Sequence, residues 1–436
     1  MKKICCLYCP SSNNIFFLFF LFLSFTTFSQ GWTFYNTSNS PLPTNDIRAI
    51  AIDASGNKWI GMSNTPNPAL AKFDGTNWTI FDNTNSPLPN TGYVSALACE
   101  GNIIWVGTTG GIFRFDGTNW ITYTMFNSGL PENFVFSVTV APTGEKWIST
   151  YSSGVAVFDD INWTIYDTSN SSIPSNYIRK VIIQDPNNIW IGTQGGLAKF
   201  DGVSNWTIYN NGNSPLCGTT SQVEAIDSNG YRWGYSYTIM PDTLCVMKFT
   251  DTSWTTYNST NSNYLNPSVI APYSSGILAI DQNNNKWVGA NNGVLKFNDT
   301  SWVLYDSTIF GTSSPYIKTI AVDSNNCVWM GGWYLGLAVY CGLSGVSETP
   351  KEVSILNFYP NPFHDFAYLK ISKTFFNNKN RYDFIIYDLT GRVIKSFSLK
   401  ERITKIERDN MISGIYLYNL ISPDNSILYS GKIIIN

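Results

Sequence analysis

Two families of tryptophan recur along the chain at a nearly regular interval, and this periodicity limits the possible folds more than any other feature. One family lies in words such as Asn-Trp-Thr-Ile-Tyr, and its members are Trp32, Trp78, Trp120, Trp163, Trp206, Trp254 and Trp302. The other lies in words such as Lys-Trp-Ile-Gly, and its members are Trp59, Trp105, Trp147, Trp190, Trp233, Trp287 and Trp329. Neighbours within a family are 42 to 54 residues apart. Such a repeat predicts one supersecondary unit per period, with each unit packed against the next.

A single unit contains four short runs of β-branched and aromatic residues. In the first complete unit these runs are residues 47–53, 58–62, 70–74 and 78–82. Turn words separate them, such as Asp-Ala-Ser-Gly-Asn before Trp59, which places Asp at the head of a tight turn and Gly or Asn where positive φ is needed. Each unit therefore predicts a four-stranded antiparallel meander, and the period is that of one β-propeller blade.

The two ends of the repeat array complete each other. The last unit supplies three runs, at residues 317–323, 327–333 and 337–340, and has no fourth. The Trp-Thr-Phe-Tyr run at 32–35 is a fourth strand without its first three. Pairing these fragments predicts an all-β fold: a seven-bladed β-propeller closed by the N-terminal strand, without the exposed edges of an open array. An open solenoid is the alternative, but it requires capping repeats, and none is recognisable.

The first residues have the pattern of an export signal. A basic start at residues 1–3 precedes an apolar run at 15–25, and small residues then suggest cleavage before Gln30. An uncleaved anchor is the alternative. The predicted organisation is a signal peptide at 1–29, the propeller at 30–341, a linker at 342–354 and a small β-sandwich at 355–436.

Composition narrows the class of protein. Charged residues make up 13% and aromatic residues 15%, which is typical of a β-rich secreted protein. Residues 30–350 carry 13 Lys/Arg and 22 Asp/Glu, and the tail from Lys351 carries 12 and 8, so neither part has the charge of a nucleic-acid-binding protein. Five cysteines remain after export, an odd number. Cys217 with Cys245 and Cys327 with Cys341 are conceivable pairs, although the spacing is not that of a disulfide framework or zinc site.

Histidine usage bears on catalysis. The single histidine, His364, lies in the tail, so the predicted propeller holds neither a Ser-His-Asp triad nor a histidine-ligated metal. A pair of carboxylates stays possible, so an extracellular lyase or glycosidase is the alternative to a non-enzymatic protein. Turn residues such as Asp53 lack the additional carboxylates of a calcium loop, so neither a metal nor a cofactor is expected. Trp59 and its equivalents are interpreted as packing between blades.

Meander connectivity gathers a set of candidate binding residues on one face. The loops from each fourth strand to the next first strand lie on the same face as the bends between second and third strands. The residues predicted there are Arg48, Tyr93, Phe134, Tyr151, Tyr177, Arg179, Gln194, Trp333 and Tyr334. Aromatic faces with amide donors suit a glycan or an extracellular peptide or protein.

The repeat resembles the two-component-regulator propeller. The resemblance covers residues 31–341 and rests on the run at 47–53, the following Asp-x-x-Gly turn, Lys-Trp-Ile-Gly and the Lys-Phe-Asp-Gly word at 72–75. In that family propellers sense glycans or act as scaffolds. No transmembrane, kinase or DNA-binding segment follows the repeats, so the resemblance implies a secreted or surface module for ligand binding or scaffolding.

The tail resembles the C-terminal sorting domain of the type IX secretion system of Bacteroidetes. The matching motif residues are Tyr359, Pro360, Asn361, Pro362, Asp388, Gly391, Gly414, Tyr416 and Lys432. The resemblance implies the type IX secretion machinery as a partner, and a secreted or outer-membrane-surface location after removal of the signal peptide and the sorting domain. An ordinary adhesive β-domain is the alternative.

Overall fold

Short β-prone runs separated by Gly- and Asn-containing turns give a chain that is almost entirely β-structure. The computed structural model describes residues 31–63, 68–238, 243–262, 276–312, 315–342, 356–359, 363–371, 381–422 and 427–435. The predicted signal peptide lies outside these residues. The described part of the chain contains one short helix, α1 (Ser307–Phe310), which Asp306 caps by accepting a hydrogen bond from the backbone N–H of Thr308.

Twenty-eight strands form seven four-stranded antiparallel sheets within the described residues. The first fifteen are β1 (Trp32–Tyr35), β2 (Ile47–Ile52), β3 (Lys58–Ser63), β4 (Pro68–Phe73), β5 (Trp78–Phe81), β6 (Val94–Glu100), β7 (Ile103–Thr108), β8 (Gly111–Phe115), β9 (Trp120–Tyr123), β10 (Val135–Val140), β11 (Lys146–Thr150), β12 (Val155–Phe158), β13 (Trp163–Tyr166), β14 (Ile178–Asp185) and β15 (Asn188–Thr193). The others are β16 (Gly196–Phe200), β17 (Trp206–Tyr209), β18 (Thr220–Ile226), β19 (Arg232–Thr238), β20 (Thr243–Phe249), β21 (Trp254–Tyr257), β22 (Leu278–Ile280), β23 (Lys286–Ala290), β24 (Gly293–Phe297), β25 (Trp302–Asp306), β26 (Tyr316–Val322), β27 (Cys327–Trp333) and β28 (Gly336–Cys341).

The seven sheets follow one another around a closed circle. Sheets 1 to 6 each contain four consecutive strands, beginning with β2, β6, β10, β14, β18 and β22, and sheet 7 has the order β26-β27-β28-β1. The first strand of each sheet contacts the first strand of the next, and β26 contacts β2. The first strands therefore form the inner edge of the circle, and the fourth strands lie furthest from it.

Sheet 7 is completed by the strand that begins the described chain. β1 pairs antiparallel with β28, with Trp32 opposite Tyr340 and Tyr35 opposite Leu337. Trp32 is buried among aromatic rings, with centroid distances of 5.0 Å to Tyr340 and 5.2 Å to Phe310. The pairing of the N-terminal run with the incomplete last unit is as the sequence predicted.

The Asp-headed hairpins couple each turn to a buried tryptophan. In sheet 1, Asp53 Oδ1 accepts hydrogen bonds from the backbone N–H groups of Ser55 and Asn57, and its Oδ2 accepts one from Trp59 Nε1 at 2.9 Å. The same carboxylate-to-indole bond recurs in three further sheets, at Asp227 and Trp233, Asp281 and Trp287, and Asp323 and Trp329. These carboxylates accept hydrogen bonds from both the turn backbone and the indole, which is the structural reason for an Asp at the head of these turns.

The core lies between neighbouring sheets rather than within one. Trp59 of sheet 1 packs in a cluster with Val106, Phe113 and Phe115 of sheet 2, as the packing interpretation predicts. The other tryptophan family stacks on the third strand of its own sheet, as Trp78 does on Phe73 with centroids 4.4 Å apart. Burial of such large apolar surfaces at every interface supplies the main driving force for the circle.

Two disulfides join neighbouring segments of the circle. Cys217 pairs with Cys245, and Cys327 pairs with Cys341 across β27 and β28. Both pairs are the conceivable ones read from the sequence. Cys99 is the one unpaired cysteine among the described residues, and burial raises the pKa of its thiol to about 12.

The tail forms two further antiparallel sheets around its own core. One has the order β29-β30-β33 and the other β32-β31-β34-β35. Their bounds are β29 (Leu356–Tyr359), β30 (Phe366–Ile371), β31 (Tyr382–Tyr387), β32 (Val393–Leu399), β33 (Ile403–Glu407), β34 (Gly414–Ile421) and β35 (Ile427–Ile435). Leu369 and Ile406 of the first sheet and Phe384 and Leu420 of the second belong to one buried cluster.

Candidate ligand-binding face

Antiparallel connectivity divides the loops of the circle between two faces. The bends between first and second and between third and fourth strands lie on one face. The bends between second and third strands, and the loops that lead to the next sheet, lie on the other, which we call the upper face. All nine predicted binding residues are carried by upper-face loops or by strand residues next to them.

Four predicted aromatic residues form a continuous row across sheets 2 to 4. The ring of Tyr93 meets Phe134 edge-on at 5.9 Å, Phe134 stacks on Tyr151 at 5.1 Å, and Tyr151 meets Tyr177 edge-on at 5.5 Å. Backbone bonds support the row, since Tyr151 N–H donates to the carbonyl of Phe134 and Gln194 N–H donates to that of Tyr177. The row is thus built by sequence-distant loops that the circle brings together.

A charged cluster continues the row into sheets 1 and 7. The Arg48 guanidinium lies over the ring of Tyr93 at 4.1 Å, and it donates to Asp46 with a distance of 3.0 Å from Nη2 to Oδ2. Lys318 Nζ lies 3.5 Å from the other oxygen of Asp46 and 3.6 Å from the centre of the Trp333 ring. Asp46 therefore bridges two cations, each of which also contacts an aromatic face.

Electrostatics at this cluster favour a lysine that loses its proton near neutrality. Burial and the neighbouring Arg48 guanidinium lower the pKa of Lys318 to about 7, against a smaller opposing effect of Asp46. Burial also raises the pKa of Tyr93, partly offset by Arg48. A negatively charged group placed beside Lys318 would favour its protonated form.

An open cleft of about 420 Å³ adjoins this cluster. It is lined by Thr37, Pro43, Thr44, Asn45, Asp46, Trp333 and Tyr334. Tyr334, at the bend after β27, is 80% exposed and has a positive φ of 59°. Trp333, 40% exposed, stacks on Tyr316 at 5.1 Å. The cleft thus offers two accessible aromatic faces beside charged groups.

A β-bulge recurs at one position of the first strand. In five sheets the pairing with the second strand skips one residue, and the skipped residues are Arg48, Ser95, Phe136, Arg179 and Lys318. Sheet 5 carries its bulge further along, at Glu224. Bulges redirect a side chain out of the regular alternation. Because the first strands form the inner edge, these side chains lie around the inner end of the upper face.

Bulge residues contact the first strand of the neighbouring sheet. Ser95 Oγ donates to the carbonyl of Val135 at 2.5 Å, and the Arg179 guanidinium lies 5.2 Å from the ring centre of Phe136. Lys180 Nζ reaches Glu224 Oε2 at 2.5 Å. Glu224 also accepts from the buried Tyr235 hydroxyl at 2.9 Å, and burial raises the pKa of that tyrosine well above its ordinary value.

The sequence prediction included Arg48 and Arg179 but missed the other three bulge residues. Ser95, Phe136 and Lys318 stand in the same place of the repeat word, directly after its first Val or Ile. When this position is compared across the units, it holds polar or bulky residues. A regularly alternating strand would have a side chain that packs between sheets at the same position. This comparison is the signal from which the bulge position could have been found.

The sorting-motif residues of the tail have mostly architectural positions. Asp388 Oδ1 accepts from the backbone N–H groups of Thr390 and Arg392, and Gly391 supplies a φ of 85° in the turn between β31 and β32. Tyr416 is buried and donates to the carbonyl of Ile412. Gly414 begins β34. Lys432 is exposed and lies opposite Leu417 in the β34–β35 pairing. Tyr359 ends β29, and residues 360–362 lie outside the described residues.

Comparison with protein families identifies two segments. Residues 357–436 match the secretion system C-terminal sorting domain, and residues 172–195 match the two component regulator propeller. Both are the families that the sequence motifs resemble. A search of curated proteins gave no significant match.

Solved structures share the fold at low sequence identity. PorZ, described as a surface component of the type-IX secretion system of Porphyromonas gingivalis, is 17% identical with a TM-score of 0.54, over 90% of this chain and 60% of that one. The extracellular domain of a putative one component system from B. thetaiotaomicron is 15% identical with a TM-score of 0.52, over 90% and 56%. Virginiamycin B lyase from Staphylococcus aureus is 13% identical with a TM-score of 0.55, over 72% and 99%. The chain thus spans less than two thirds of the first two structures.

The sorting domain gives the location of the protein, which is secreted or on the cell surface. None of the helical structure in the described residues is long and apolar enough to cross a membrane. The neighbouring propellers include both regulator domains and an enzyme, so the shared fold is compatible with either kind of activity.

Proposed function

We propose that the circle of sheets is a closed seven-bladed β-propeller whose upper face binds a glycan outside the cell. The observation that carries this proposal is the unbroken row of aromatic and cationic side chains from Trp333 through Lys318, Arg48 and Tyr93 to Tyr177. The row crosses five of the seven sheets, and Asp46 links its two cations, Lys318 and Arg48.

Accessible aromatic faces favour a sugar over a purely apolar ligand. Tyr151, Tyr177 and Trp333 are 46%, 40% and 40% exposed, although each already packs against another ring. One side of such a ring is held in place while another can stack on the apolar face of a pyranose. Rings held by their neighbours lose little conformational entropy on binding, which favours affinity. An extracellular protein bound to the same face is the competing outcome of the test below.

Binding is favoured over catalysis by how the acidic groups of this face are engaged. Asp46 is bridged by Arg48 and Lys318, Glu132 accepts from Ser152, and Glu224 is buried against Lys180. Asp82, Asp167 and Asp306 each accept a hydrogen bond from the backbone N–H group two residues further along their own turn. Glycoside hydrolysis needs two carboxyl groups free to face a substrate, one of them able to donate a proton. The likeness to virginiamycin B lyase concerns the fold, so a lyase or glycosidase stays the alternative function.

The tail completes the proposed function as an export signal. We infer that residues 1–29 are removed on export, that 30–341 form the propeller, and that 342–354 link it to a β-sandwich sorting domain at 355–436. Type IX secretion machinery is the proposed partner of that domain. A propeller closed by its own terminal strands has no edge for the tail to protect, which favours a role in transport over stability.

The glycan proposal is tested by screening the full-length protein on an array of extracellular oligosaccharides. Alanine at Tyr93, Tyr177 and Trp333 together is expected to abolish the binding that the wild-type protein shows. A matched control replaces Ile161 and Val203, which are 83% and 80% exposed on the opposite face, by alanine. Far-ultraviolet circular dichroism checks that each variant stays folded. Binding that survives the triple substitution, or that the control also removes, places the site elsewhere.

A further inference from the structure

The bulge positions at the inner end of the upper face carry an excess of positive charge. Three of the five equivalent bulge residues are cations, namely Arg48, Arg179 and Lys318. They belong to sheets 1, 4 and 7, so they approach the centre of the circle from two sides. Regular strand alternation would have placed these side chains between sheets, where charge is expensive to bury, so the bulge is what allows them at this position.

Partners within the described residues neutralise only part of this charge. Asp46 is shared between Arg48 and Lys318, which leaves that cluster with one positive charge in excess when Lys318 is protonated. Glu224 is engaged by Lys180 rather than by Arg179. The Nε–H group of Arg179 is buried and has no hydrogen-bond partner among the described residues. A buried guanidinium donor without an acceptor is costly, unless a ligand supplies the acceptor.

The neighbours of Arg179 shape a place for a planar anion. Its guanidinium carbon lies 5.2 Å from the ring centre of Phe136, and its Nε–H group has no acceptor among the described residues. Arginine binds carboxylates through two parallel N–H donors, and such charge-assisted bonds are stronger than neutral ones.

We propose that the inner end of the upper face binds carboxylate groups, through Arg179 on one side of the circle and through Lys318 with Arg48 on the other, so that the glycan is an acidic one of the uronic-acid type. This inference rests on the glycan-binding function proposed above and adds the chemical class of the sugar. The aromatic row holds the pyranose rings, and the cationic bulge residues select the charged substituent. A sulfate ester would present a similar oxyanion, and the test separates the two sources.

The test compares three sets of oligosaccharides on the full-length protein. One set contains uronic-acid oligosaccharides, the second contains the same oligosaccharides with each carboxyl group reduced to an alcohol, and the third contains neutral oligosaccharides bearing sulfate esters. We expect binding to the first set and a 10- to 100-fold loss on carboxyl reduction, the range of about 1.5–3 kcal/mol for hydrogen bonds to charged groups. Arg179→Gln is expected to weaken binding of the first set similarly and to leave the second set unchanged.

A control variant separates local recognition from general attraction. Arg114→Gln removes a cation near the C-terminal end of β8, away from the upper face, where Arg114 lies near Asp116. It is expected to leave the affinity for uronic-acid oligosaccharides unchanged. Melting temperatures identify any variant that unfolds. Equal binding of native and carboxyl-reduced sugars overturns the carboxylate site but leaves glycan binding standing. Binding of sulfated sugars alone assigns the site to sulfate instead. Binding of no sugar in any set overturns the glycan function, and the carboxylate site with it.

Discussion

Replacing Trp32 by alanine tests whether the N-terminal strand closes the circle. Trp32 is 4% exposed, and its ring contacts Tyr340, Tyr305 and Phe310 with centroids 5.0, 5.4 and 5.2 Å away. Tyr340 belongs to its own sheet, whereas Tyr305 lies in sheet 6 and Phe310 in α1. The substitution therefore removes a large side chain from the interface between sheets 6 and 7.

The expected cost follows from the size of the cavity. Truncating a buried Trp to Ala lowers the free energy of unfolding by about 3–5 kcal/mol, from lost burial and an incompletely closed cavity. For a domain of roughly 300 residues, the unfolding entropy per residue converts this into a fall in Tm of about 5–8 °C. Deletion of residues 30–36 is expected to cost more, because it also exposes the backbone edge of β28 to intermolecular pairing.

Calorimetry and light scattering measure the two expected effects, melting and aggregation. Trp120→Ala is the matched control, since Trp120 is half-buried at the equivalent position of sheet 2 and stacks on Phe115 at 4.4 Å. Its sheet consists of consecutive strands, so we expect a smaller fall of about 1–3 kcal/mol and no aggregation. A melting curve unchanged by both Trp32→Ala and the deletion would refute closure through β1.

Three other predictions address the hairpins, the charged cluster and the tail. Asp323→Asn leaves one acceptor oxygen in place of two, so either Trp329 Nε1 or the N–H groups of the turn lose their acceptor, and we expect the free energy of unfolding measured with urea to fall by about 1–3 kcal/mol; a fall below the error of the measurement would show that these bonds are not stabilising. Lys318 has its pKa lowered to about 7, so affinity for a carboxylated sugar should fall as pH rises from about 6 to 8 and should stay level in Lys318→Arg; identical pH profiles would exclude a role for this amine. Residues 342–436 fused to a periplasmic reporter should carry it to the surface or medium and be cleaved, as fractionation and mass spectrometry can measure; a reporter retained in the periplasm would contradict the sorting role.

The acid dependence of the hairpins has a definite sign. Burial raises the pKa of Asp323, but the hydrogen bonds from Trp329 Nε1 and the Cys327 N–H group, together with the Lys58 ammonium, outweigh it and leave the pKa below its ordinary value. A carboxyl group with a lowered pKa stabilises the folded state above its unfolded pKa and loses that contribution as pH falls through the folded value. The wild-type protein should therefore lose stability below about pH 4, and Asp323→Asn should lose less over the same range.

Local sequence determined the strands and their hairpins. Asp53 begins a turn, and its carboxylate accepts hydrogen bonds from both the turn backbone and an indole. Glycines supply positive φ where the chain must bend. The residues that determine the strands and turns of a unit therefore lie within that unit. The missing fourth run of the last unit and the orphan run at 32–35 also revealed the partner of β1. These features depend on short-range hydrogen bonding and on the hydrophobic pattern, both of which can be recognised in the amino-acid sequence.

The tertiary structure, in contrast, decided which residues come together in the candidate site. Predicted loop residues such as Tyr93 and Tyr177 became a row only because packing between sheets set the distance from one loop to the next. The bulges at Lys318 and Phe136 are skips in the pairing of two strands, so the sequence of a single unit does not reveal them, and only a comparison of equivalent positions across units points to them. Burial then lowered the pKa of Lys318 by removing water and placing Arg48 nearby, effects that depend on distance in space. The sequence therefore specified the units and their order, whereas only the tertiary structure decided which of their side chains meet at the inner end of the upper face.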